Sequence, residues 1–207
     1  MKSSLFSLAL TAAAFVGGLA SLSAQPVTTS TSGLVGTTYA GVSYGFIDFD
    51  NSEIDVHALK LDLNNNFGPN FDGFISYEHD RSEKFTDGRV TQNLVAIGTR
   101  AFVNWNSKFK PYAEGGVGWE WFRAPYGVRE NSFLWLVGVG IEIGTGSRWT
   151  AAPFVRYYDL RDSNNSHNWN YGLRGSYWLN ERVGIQLTGT RDDDHNMEYA
   201  VGLNYRM

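Results

Sequence analysis

The sequence contains no cysteine. Disulfides, thiolate metal centres and lipid attachment through an N-terminal cysteine are therefore excluded. Proline is scarce, five residues against 23 glycines, which favours strands and turns over helices. Charge is sparse too. Charged residues make up 18% of the chain and aromatic residues 15%, a balance that argues against disorder. Basic residues are the minority, 17 against 21 acidic, so the chain is a poor candidate for binding nucleic acid.

Long apolar runs are missing beyond the N-terminus, which excludes a later transmembrane helix. The one early run, from Leu5 to Leu19 behind Lys2, is short for a membrane span and reads as the core of a secretory signal peptide. Cleavage is expected after Ala24, in Leu22-Ser23-Ala24. Residues 1–24 are thus expected to be the leader. Residues 25–36, rich in Ser and Thr, are expected to form a mobile lead-in, and residues 37–207 a single domain.

From residue 37 onward the chain has a rhythm of two. At its end Tyr199, Val201, Leu203, Tyr205 and Met207 alternate with Glu198, Ala200, Gly202, Asn204 and Arg206. One face is apolar and the other polar or small, as in a half-buried strand. The same pattern predicts strands at 37–48, 54–64, 71–80, 90–104, 109–121, 133–144, 151–160, 168–179, 182–190 and 197–207. Each is about as long as a tilted strand needs to cross a bilayer. Ten is an even number, and short connections alternate with longer polar ones. Both are features of antiparallel up-and-down barrels whose turns lie on one rim and loops on the other.

The expected faces are chemically distinct. Outward positions such as Val42, Leu61, Val95, Val139, Leu173 and Leu187 carry no charge. The opposite parity gathers Lys60, Asp62, Glu78, Arg100, Lys110, Glu114, Glu120, Glu142, Arg156, Arg174, Glu198 and Arg206. In a small barrel these side chains nearly fill the lumen, where opposite charges must pair to offset their desolvation. Pro69 and Pro125 fall in connections, away from strand centres. Trp105, Trp149 and Trp178 fall at turn-side ends, and Trp119, Trp121, Trp135 and Trp169 towards loop-side ends, as two interfacial girdles would require.

On this pattern residues 37–207 resemble the small bacterial outer-membrane barrels typified by the membrane domain of OmpA and by OmpX. Those relatives have eight strands, which stands as the alternative count. The last strand resembles the closing strand of that class, and the resemblance implies that Gly202, Tyr205 and Met207 form an assembly signal. It also implies an outer-membrane location in a Gram-negative-type bacterium with both termini periplasmic. The implied partners are outer-membrane lipids, the barrel-assembly machinery and periplasmic chaperones. The expected role is structural, surface-interactive or that of a narrow pore, without enzymatic activity, metal or cofactor.

Two features suggest an alternative, a small membrane-embedded hydrolase. Asp193 and His195 resemble the Asp/His pair of omptin proteases, where the carboxylate orients the imidazole as a general base. Asp48 and Asp50 match the acidic pair that omptins add. His167 beside Ser163 and Ser166 invites a lipid A esterase reading, although the order of Ser and His is reversed. The plainer reading of both is a solvated polar loop. A soluble lipocalin-like or sandwich binder is the third possibility and requires the aliphatic faces to be buried.

Overall fold

A computed structural model describes residues 33–50, 55–83, 88–105, 108–144, 148–161 and 167–207. The expected leader, most of the lead-in and Ser163 and Ser166 lie outside these residues.

Ten strands follow one another: β1 (Tyr39–Asp48), β2 (Asp55–Asn66), β3 (Phe71–Ser82), β4 (Thr91–Phe102), β5 (Phe109–Arg123), β6 (Arg129–Gly144), β7 (Trp149–Arg161), β8 (His167–Trp178), β9 (Val183–Asp192) and β10 (Met197–Arg206). Each pairs antiparallel with its sequence neighbours, and β1 pairs with β10 to close the barrel. That seam runs in unbroken register from Tyr39 opposite Arg206 to Asp48 opposite Met197. With no free edge, every strand finds a hydrogen-bonded neighbour on both sides, which a bilayer interior demands.

The alternation seen in the sequence sorts the side chains. Val139, Leu173 and Leu187 stand on the outside, more than half exposed, and the inward row of the same strands carries mostly polar and small residues, with Leu134, Leu136 and Trp178 as the large apolar ones. So large an apolar surface has no place in water and fits hydrocarbon. The molecule is a transmembrane β-barrel whose core is its lumen.

Three placements differ from the sequence expectation. The predicted loop 122–132 is largely strand: β5 and β6 pair up to Arg123 opposite Arg129, and a 3-10 turn at Pro125–Gly127 joins them. Polar residues there obscured the continued pairing. Trp178 is not in the outer girdle. It faces inward, 3% exposed, against Leu34 and Tyr39. Its neighbour Tyr177 takes the outward position and packs on Trp149 with ring centroids 4.6 Å apart. Residues 33–36 lie folded into the turn-side end of the lumen, with Leu34 and Val35 almost fully buried.

Candidate functional site in the barrel lumen

The lumen is built in two storeys. The turn-side storey is closed by residues 33–36, which turn back on themselves before β1: Thr37 N–H donates to the Leu34 carbonyl and its hydroxyl to the Gly33 carbonyl. Inward side chains capture this segment by its backbone. Glu142 Oε2 accepts from Leu34 N–H at 2.7 Å and from Val35 N–H at 3.2 Å. Asp72 Oδ2 accepts from Gly36 N–H at 2.8 Å, and Lys110 Nζ donates to the Val35 carbonyl at 3.0 Å. Gly36 has φ 76°, and a Cβ there would come within 2.9 Å of the Phe102 ring, so only glycine serves. Val35 packs with Phe102, Tyr112 and Phe154, and Leu34 with Tyr39 and Trp178.

Above the plug runs a charge ladder. Arg100 donates to Glu114 Oε2 through Nε at 3.1 Å and Nη2 at 2.8 Å, and Arg156 Nε donates to the other oxygen of Glu114 at 2.7 Å. Asp72 lies 3.9 Å from Arg100 Nη1. The Arg100 guanidinium also lies over Tyr112 at 5.0 Å. Strand register explains the ladder, because Arg100 stands opposite both Asp72 and Glu114. A carboxylate as buried as Glu114 is tolerable only with both guanidinia in place.

The loop-side storey holds a second cluster and an open volume. Lys60 Nζ bridges Glu78 at 3.0 Å and Glu198 at 2.6 Å. Around them is a cavity of about 300 Å³ that reaches the loop-side ends of β4, β7, β8 and β10 at Gln92, Leu160, Asn168 and Glu198. Leu94, Ala96, Leu134 and Leu136 form an apolar wall in it, backed by Phe74, Tyr158 and Leu160. Thr188, Thr190, Gln186 and Asn170 face them from β8 and β9.

The expected lumen residues thus separate into groups. Arg100, Glu114 and Arg156 come together, as do Lys60, Glu78 and Glu198; Glu142 serves backbone rather than a cation. Arg206 lies over the Trp178 ring at 4.0 Å, and Arg174 over Phe154 at 5.6 Å. Among the described residues Asp62, Glu120 and Arg174 make no ion pair. Sequence reasoning missed Asp72 and Asp80, although both share the parity of Glu78. It also missed Leu134 and Leu136, which the run Phe133-Leu134-Trp135-Leu136-Val137 hides because both parities are apolar there.

The loop candidates stand apart from the lumen network. His195 is exposed, with φ 72°, and its Nδ1 lies 3.0 Å from the main-chain oxygen of Asp193 rather than from that residue's carboxylate. Asp192 organises the loop instead, accepting from the Asn196 N–H and side-chain amide, each at 2.8 Å. His167 opens β8 on an exposed outward position, stacked 6.4 Å from the Tyr157 ring. In the closing strand, Gly202 faces inward, where a Cβ would come within 2.7 Å of Ser43, while Tyr205 and Met207 face outward. The Met207 N–H donates to the Thr38 carbonyl at 3.1 Å, continuing the seam.

No family model matches the chain, and no characterised protein sequence matches it. Similar solved structures are numerous. The translocator domain of the autotransporter NalP from Neisseria meningitidis has a TM-score of 0.55 at 11% identity, covering 97% of this chain and 98% of that one. The beta domain of the Bordetella autotransporter BrkA has a TM-score of 0.52 at 11% identity, with 83% and 99% covered. The NanC porin follows at 0.48 and 9%, with 81% and 100% covered. The fold is that of outer-membrane β-barrels.

Proposed function

We propose that this protein is an outer-membrane β-barrel of a Gram-negative-type bacterium. Its role is structural or surface-interactive, and its lumen is closed to steady conduction. The kinship suggested by the sequence, with the small barrels typified by OmpA and OmpX, is kept here in a ten-stranded form. The termini sit on the periplasmic, turn-side rim, and the loops face outward. Gly202, Tyr205 and Met207 act as the assembly signal read by the barrel-assembly machinery after export behind a cleaved leader, with periplasmic chaperones in attendance. The role is taken as non-enzymatic, a reading supported by His195 Nδ1 meeting the main-chain oxygen of Asp193 and not its carboxylate.

The observation that carries this reading is the plug of residues 33–36, held by Glu142, Asp72 and Lys110 beneath the Arg100–Glu114–Arg156 ladder. Each tether is a charge-assisted hydrogen bond in a water-poor space, where such bonds are strongest. Planar-bilayer recording of the refolded protein tests it. The wild type is expected to give no steady channel, and Glu142→Gln combined with Asp72→Asn is expected to give frequent openings. Large, steady wild-type channels would refute the closed lumen and favour the narrow-pore reading.

A further inference from the structure

The loop-side cavity has a charge imbalance that the plug and ladder leave untouched. Asp62, Glu78, Asp80, Glu120 and Glu198 line it, against Lys60, Arg100, Arg156 and Arg174. Arg100 and Arg156 are held by Glu114, which leaves five acids facing Lys60 and Arg174. Lys60 is already committed to Glu78 and Glu198. Asp80 is 8% exposed, and its Oδ1 has no hydrogen-bond partner. Glu120 is 9% exposed and has Gln92, a neutral amide, beside it. Arg156, the next cation towards the plug, is held by Glu114 and Tyr158.

Register places these acids against the apolar wall. Glu78 stands opposite Leu94, which stands opposite Glu120, and Asp80 follows Glu78 on the inward face of β3. Leu134 and Leu160 pair directly on β6 and β7 and extend the apolar surface. A buried carboxylate oxygen without a partner is costly, as at Asp80 Oδ1, and Leu94 and Leu160, only half-buried on the lumen side, leave apolar surface facing polar groups. Both departures are explained together by one kind of occupant. Its positive end satisfies the acids, and its apolar body covers the leucines. Among the described residues no three His, Cys, Asp or Glu side chains stand close enough to hold a metal ion, so an organic cation fits better than a bare one. A volume of about 300 Å³ is at the small end of ligand pockets and suits a compact molecule.

We propose that the loop-side lumen is a binding site for small organic ammonium ions with an aryl or short alkyl body, held by Asp80 and Glu120 against Leu94, Leu134 and Leu160. The site rests on the proposed function only in that its mouth opens outside the cell; binding itself does not depend on whether the lumen conducts.

The probe is 2-phenylethylammonium, titrated into the full mature chain refolded in a nonionic detergent. Binding is read by calorimetry and by the methyl signals of Leu94 and Leu134. Saturable binding is expected, with both methyl sets shifting. Asp80→Asn and Glu120→Gln are each expected to weaken it at least about tenfold, as loss of a buried charge partner should. Asp80→Asn should still fold, since an amide of the same shape replaces a carboxylate crowded by Glu78; heat-modifiable migration on gels checks folding of both variants. Absence of saturable binding would overturn the proposal. So would wild-type affinity in both folded variants, equal binding of 3-phenylpropionate, or calcium binding with no response to the amine. Bilayer recording of the same preparation, run in parallel, reports on the closed lumen alone.

Discussion

At the scale of single residues, two glycines separate backbone strain from crowding. Gly127, at φ 79°, has open space where a Cβ would stand, whereas Gly36, at φ 76°, has the Phe102 ring there. Gly127→Ala should therefore cost only the left-handed conformation, about 1–2 kcal/mol, while Gly36→Ala adds overpacking and should cost about 2–5 kcal/mol. Urea unfolding of both variants in lipid vesicles measures the difference; equal losses would show that the plug is loosely seated. Glu114 offers the converse case. Glu114→Gln leaves Arg100 and Arg156 facing a neutral amide, and about 3–5 kcal/mol of stability should go with the charge. At this scale the sequence was legible wherever charge and parity agreed, as at Lys60, Arg100 and Glu114. It was illegible where one type of residue serves two environments. Trp178 has an interfacial side chain by composition but an inward position by register, where Arg206, Leu34 and Tyr39, distant in sequence, surround it.

Among the elements, the strands were read nearly to their ends, because a single side-chain period runs through all of them. The β5–β6 hairpin was read short, since above Trp121 and Phe133 its residues turn polar on both faces while the ladder of main-chain bonds continues. The four-residue plug was misread. Gly33-Leu34-Val35-Gly36 has no period, and nothing local distinguishes it from the Ser/Thr-rich stretch before it. Its burial depends on acceptors supplied by β3 and β6, many residues away. Deleting residues 33–36 tests the element as a whole. Glu142 and Asp72 then lose their donors, and the expected results are a barrel that still forms but conducts, with a lowered urea midpoint. An unchanged midpoint would mean that the segment contributes nothing to the lumen's packing.

For the whole molecule, closure is the governing property. Ten strands make a cylinder wide enough that side chains from opposite walls do not fill it unaided. Its turn-side storey needs both the plug and the arginine ladder, and its loop-side storey keeps a cavity. Parity in the sequence put ionisable residues on the inward face but could not say at what height each would stand, because height follows from strand register and tilt. Closure also predicts that the folded protein resists dodecyl sulfate until heated, with a single cooperative shift in gel mobility; a mobility that does not change on boiling would contradict a sealed sheet. The seam has one more consequence. Because Met207 is hydrogen-bonded to Thr38, the start of the first strand and the end of the last sit side by side, and the order in which the staves are numbered is a convention of translation. A circularly permuted gene, stitched across that junction and reopened at Tyr126, encodes the same cask from a different starting point.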